Sequence, residues 1–182
     1  MKIVLKTCFM LLLITTLLFP LACTRSNDLA SSTNPGSGKL PVTTHLKVSS
    51  LEEASRITGF TILAPGTLPG DFSRYGDIDI IKTGDNGKIT YKVMQRWVWK
   101  EDASIYLDLT QDPELDGIIS GTPAQIGNRP GQRRLYPPDD KVAGRLELYW
   151  KTQDSAFVLF GFLTGPLDEE TMYTIAASIV AD

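Results

Sequence analysis

Residues 77–100 read DIDIIKTGDNGKITYKVMQRWVWK, and the Asp85-Asn86-Gly87 step inside them decides the class of fold. Asn-Gly supplies the left-handed backbone that a tight hairpin turn requires, so Asp77–Lys82 and Lys88–Lys100 are expected to pair as antiparallel strands. Along the longer strand, Tyr91, Val93, Gln95, Trp97 and Trp99 fall on one face and Lys92, Met94, Arg96, Val98 and Lys100 on the other. The aromatic face is the one expected to be buried.

Further strands follow the same alternation. Ala103, Ile105, Leu107 and Leu109 alternate with Ser104, Tyr106, Asp108 and Thr110, and Leu146, Leu148 and Trp150 with Arg145, Glu147, Tyr149 and Lys151. Ala124–Ile126 and Gln132–Tyr136 read as a short hairpin around Asn128–Gly131, and Ala156–Leu163, apolar on both faces, as a covered strand. Phe60–Leu63, stopped by Pro65, reads as a short apolar strand. Helices are expected only at the ends. Ser50-Leu51-Glu52-Glu53 has capping-box spacing before a helix closed by Gly59. Asp168 caps the other, with Leu167 and Met172 at staple spacing and Met172, Ile175, Ala176 and Ile179 as its apolar stripe. The resulting expectation is α+β: a curved antiparallel sheet with an N-terminal and a C-terminal helix packed on one face.

The chain before this domain has a different character. Lys2 and Lys6 form a positive n-region, and residues Ile3 to Leu21 are almost wholly apolar, the run ending at Leu21-Ala22-Cys23. That is the pattern of a secretory signal with a lipoprotein-type end, although Pro20 stands where an aliphatic residue is usual. The interrupted run is short for a permanent span, which needs about 20 apolar residues, so an uncleaved anchor is the rival reading. Cleavage before Cys23 also removes Cys8, leaving a mature chain without a disulfide framework. Residues 24–47 are rich in Ser, Thr, Asn, Gly and Pro and read as a flexible tether; the organisation is then a leader (1–22), lipidated Cys23 with its tether (23–47) and one domain (48–182).

Composition excludes several activities. The 182-residue chain carries 18 Lys and Arg against 21 Asp and Glu, a net charge of −3, and loses two lysines with the leader, so nucleic-acid binding has no electrostatic support. Arg129, Arg133 and Arg134 form a local basic group that reads as a solvated loop face. His45, the one histidine, falls in the tether, so a Ser-His-acid or Cys-His mechanism in the domain lacks its base. A His/Cys metal site lacks ligands for the same reason, and no cofactor is implied. Asp108, Asp112, Glu114 and Asp116 cluster in sequence and are the residues on which carboxylate hydrolysis would have to rest; an acidic loop is the plainer reading. Asp112, Glu114, Asp116 and Gly117 also resemble half of a calcium loop, but its twelfth position is Pro123, which offers no carboxylate, so the metal candidate is weak. Trp97, Trp99 and Trp150 are read as core, whereas Tyr106 and Tyr149 lie on the expected wet faces and are the candidates for ligand contact.

Glu53-Ala54 with Gly59-Phe60, then Pro65 and Leu68-Pro69, a late Leu148-Tyr149-Trp150 and a final Ile175-Ala176-Ala177-Ser178-Ile179 together resemble the bacterial and archaeal domain of unknown function 4367 over about residues 48–180. After the Leu-Pro pair this chain has Pro69-Gly70-Asp71-Phe72 in place of the family's Pro-Glu-Gly-Tyr. The resemblance implies an extracytoplasmic domain, commonly behind a membrane anchor or an anti-sigma-type region, and supplies no reaction and no catalytic residues. The expected function is therefore a non-catalytic accessory or binding domain, held by Cys23 on the extracytoplasmic side of a cell membrane and recognising an envelope protein or other envelope component. A carrier or sensor of an apolar ligand between sheet and helices is the alternative, and a carboxylate hydrolase the third reading.

Overall fold

The computed structural model describes residues 41–85, 87–115 and 120–179. The leader, Pro20, Cys8 and Cys23 lie outside them, as do Asn86 and Asp116. Within the described chain, nine antiparallel strands form an open curved sheet accompanied by two helices, an α+β arrangement in which the sheet predominates.

The strands are β1 (Val42–Val48), β2 (Phe72–Arg74), β3 (Ile78–Asp85), β4 (Lys88–Trp99), β5 (Tyr106–Asp112), β6 (Thr122–Ile126), β7 (Arg129–Tyr136), β8 (Arg145–Lys151) and β9 (Ala156–Phe162). The helices are α1 (Leu51–Thr58) and α2 (Glu169–Ala177). The strand order is β1-β3-β4-β5-β9-β8-β7-β6, with β2 beside the far end of β4. Two meanders, β3-β4-β5 and β6-β7-β8-β9, are thus joined where β5 meets β9. The expected hairpin closes with Asp85 opposite Lys88, and Val93, Gln95 and Trp97 are buried as the alternation requires.

Both helix caps form. Ser50 Oγ accepts from Glu53 N at 3.1 Å, and Gly59 ends α1 in the left-handed region (φ 81°), where a side chain would strain the backbone. Asp168 accepts from Thr171 N at 2.7 Å, and Leu167 and Met172 are buried together. α1 covers Val48, Ile62, Ile78, Ile80 and Val93. α2 belongs to the larger cluster of Trp97, Leu107, Leu109, Leu146, Leu148, Trp150, Phe157 and Leu159, in which Trp150 and Phe157 stack at 5.2 Å. A Cβ on Gly161 would lie 2.9 Å from Met172 Sδ and from Leu107 Cδ2, so α2 rests on β9 through this glycine.

Four local expectations are corrected. The supposed end of the tether is β1: Val42–Val48 pairs with β3 from Val42↔Gly84 to Val48↔Ile78, because the bare edge of β3 offers a ladder to a chain of alternating Thr, Leu and Val. Phe60–Leu63 is extended but belongs to no strand. Ala103 and Ser104 precede β5, in a turn where Asp102 accepts from Ser104 N and Ser104 Oγ. The β6–β7 turn falls earlier than expected, with Ile126 opposite Arg129 and Gly127-Asn128 between them, so Pro130 and Gly131 are strand residues.

Candidate functional site

Tyr106 sits on β5 with its side chain on the face opposite the buried Leu107 and Leu109. Its cross-strand environment is aromatic: the ring meets Phe162 edge-on at 5.4 Å and Phe160 at 6.1 Å, and the two phenylalanines meet at 5.4 Å. All three rings are half-buried. On β4, Arg96 lies with its guanidinium 4.1 Å over the Tyr106 ring and is gripped by both Asp108 carboxylate oxygens at 2.6 Å. That hydrogen-bonded carboxylate raises the Arg96 pKa above its ordinary value. The result is a rigid platform: three half-buried rings and, lying over the Tyr106 ring, a guanidinium whose fork is fixed on one side by Asp108 and retains donors for a ligand.

Tyr149 does not join it. Although β8 alternates as expected, Tyr149 is only 6% exposed, and its hydroxyl is buried without a protein partner. The register places Gln132 on one side of it and Val158 on the other. Alternation reveals which face a side chain takes, not what the neighbouring strands lay over it.

The three arginines of β7 are structural. Arg129 donates to the carbonyl of Ile179 at 3.0 Å and Arg133 pairs with Glu169, which fastens β7 to both ends of α2. Arg134 contacts the Tyr136 hydroxyl at 3.1 Å and Glu147 at 3.6 Å. They lie in a strand, not on a loop face. His45 is in β1 and within 3.2 Å of Asp79. Among the acidic candidates, Asp108 is taken by Arg96, Asp112 accepts from Glu114 N at 2.9 Å, and Glu114 pairs with Lys88 at 2.6 Å. Among the described residues no group of three or more His, Cys, Asp or Glu side chains converges as a metal site would require.

A second feature was not foreseen. Gln111 of β5, 1% exposed, turns its amide against the chain after α1: Oε1 accepts from Leu63 N at 3.0 Å and Nε2 donates to Thr61 O at 2.8 Å and Ser155 Oγ at 3.1 Å. Gln95 Nε2 donates to Leu63 O at 2.7 Å and Ser55 Oγ accepts from Ile62 N at 2.9 Å. Side-chain amides thus replace the ladder that Phe60–Leu63 lacks. Beside them opens a cleft of about 870 Å3 between α1 and the β8–β9 turn, lined by Ser55, Arg56, Thr61, Gln111, Thr152, Asp154 and Ser155 with Phe60 and Phe157. A buried glutamine in an otherwise apolar strand face was the only signal in the sequence that could have found it.

No family model, curated protein or solved structure matches this chain.

Proposed function

We propose that the protein is a non-catalytic accessory or binding domain, tethered through lipidated Cys23 on the extracytoplasmic side of a membrane. The observation that carries the binding part is the Tyr106 platform, where three half-buried rings and a clamped Arg96 stand on rigid central strands rather than on loops. Aromatic and arginine side chains of this kind dominate protein recognition surfaces. The anchored part rests on the Lys2/Lys6, apolar and Leu21-Ala22-Cys23 pattern and on the resemblance to domain of unknown function 4367. The packing of both helices on one face of the sheet is supported by the register: Val93 under α1 lies two and four residues from Gln95 and Trp97, which pair with Leu109 and Leu107 of the α2 cluster.

The carrier reading draws less support, because Arg56, Gln111 and Asp154 share the lining of the cleft between α1 and the β8–β9 turn with Phe60, Leu63 and Phe157, and such a mixed lining suits an acyl chain poorly.

The test uses the full chain purified from membranes. Affinity capture is expected to enrich an envelope protein or glycan, and Tyr106→Ala to reduce that enrichment at least about tenfold, as truncation of an interface anchor does. Capture unchanged by Tyr106→Ala and Phe160→Ala would remove the platform from consideration. Cys23→Ser is expected to release the chain from the membrane fraction; retention would make the apolar segment itself the anchor.

A further inference from the structure

β4 is twelve residues long, about 40 Å as a strand, whereas α1 has eight residues and spans about 12 Å. Among the described residues the α1 cluster reaches as far as Tyr91, half-buried against it, and leaves bare the end of the sheet beyond, made by the start of β1, the end of β3 and the start of β4. On the same face as the α1 cluster, the register aligns Val42, Gly84 and Ile89 in one row across these three strands, with Thr44, Lys82 and Tyr91 in the next. Val42 is 64% and Ile89 52% exposed, and Gly84 between them has no side chain to cover either. This row joins two of the most exposed large apolar residues of the described chain.

We propose that this bare end of the sheet lies against the bilayer interface, with Val42 and Ile89 among the lipid headgroups and Lys82 and Tyr91 at the phosphate level; the proposal rests on the membrane-anchored reading above. Two observations select a bilayer over another partner. β1, the first strand of the described chain, begins with Val42 at this end of the sheet, so any anchor upstream pulls this end toward the membrane first. The face also has an interfacial composition: two aliphatic side chains, a tyrosine with an apolar body and a polar tip, and Lys82 as its sole charge among these six residues, with no carboxylate. Lys88, at the rim, is paired with Glu114, and Lys92 and Asp85 point to the opposite face.

The experiment places an environment-sensitive dye at Ile89→Cys or, as a distant control, at Tyr75→Cys. Tyr75 bonds to Arg96, seven residues or about 23 Å along β4 from Ile89, and is 62% exposed. The full chain, with Cys8→Ser, is reconstituted in phosphatidylcholine vesicles with and without phosphatidylglycerol, carrying a headgroup-level nitroxide lipid. Quenching severalfold stronger at residue 89 than at residue 75 is expected. Val42→Asp should abolish the difference, and Lys82→Glu should reduce it when phosphatidylglycerol is present. Equal quenching at both positions, or none at residue 89 in chain whose mass shows lipid on Cys23, overturns the surface while leaving the anchor standing. Cross-linking between two residue-89 labels without lipid quenching assigns the row to a second copy and overturns it as well. If the mass shows no lipid on Cys23, the anchor reading fails separately; the chain with both Cys8→Ser and Cys23→Ser then reads the surface alone in the same vesicles, with quenching at residue 89 supporting it and its absence overturning it.

Discussion

At the scale of single residues, Gln111 and Gln95 differ in what they satisfy. Gln111 serves Thr61, Leu63 and Ser155 at once, whereas Gln95 serves only Leu63 O and leaves its own Oε1 buried without a partner. Leaving buried polar groups unpaired costs more than removing a matched set. Gln111→Leu is therefore expected to lower stability by about 2–3 kcal/mol, and Gln95→Leu to change it by no more than about 1 kcal/mol, both read from urea denaturation. Equal effects would mean that the amide ladder does not hold the 60–63 segment. The Ser50 and Asp168 caps were legible because an N-cap bond closes within three residues. The roles of Gln111 and Tyr149 were not, since each depends on neighbours from other strands or loops: Gln111 acts on a chain 48 residues earlier, and Tyr149 is buried between Gln132 of β7 and Val158 of β9 in the register.

Among the elements, β1 and the α2–β9 contact make the sharpest demands. β1 is the edge strand against β3, and Val48 at its end is in the α1 cluster. A chain beginning at residue 40 is expected to melt like the longer one, whereas one beginning at residue 49 should melt at least about 10 °C lower, since it loses both Val48 burial and the β3 partner. Thermal unfolding followed by circular dichroism reads the difference; similar melting would return 42–47 to the tether. At Gly161 an added Cβ meets Met172 and Leu107. Gly161→Ala should cost about 1–2 kcal/mol by overpacking, and the cost should shrink in a Met172→Ala background because the two positions share one space. Hairpin β3–β4 was legible from Asn-Gly and alternation. Phe60–Leu63, with the same apolar signal, is not a strand because buried glutamines occupy its backbone groups first.

Across the whole molecule, three surface carboxylates close local structure outside the strands, two in loop turns and one at the start of α2. Asp102 is held below the usual carboxylate range by the Ser104 hydroxyl and N–H, Asp139 by the N–H groups of Lys141 and Val142, and Asp168 by the Thr171 hydroxyl and N–H. A depressed folded pKa means that the unfolded chain binds protons first as pH falls. The stability these groups contribute is thus present above the unfolded value of about 3.9 and is lost as pH drops through the lower folded values. Urea midpoints measured from about pH 7 to about pH 3 should fall at the acid end, and replacing the three aspartates by Asn should flatten that fall; an unchanged acid slope would count against these contacts.

Sequence by itself determined the local grammar of this protein: which stretches alternate, where two helices begin and where a hairpin turns. These depend on contacts a few residues apart or on composition. Tertiary structure decided that β9 enters between β5 and β8, that 42–48 is an edge strand, that Tyr106 stays half-exposed while Tyr149 is buried, and that among the described residues one end of the sheet is left bare. The physical reason is that burial and pairing are set by which distant strand becomes a neighbour, and alternation along one strand carries no record of that choice.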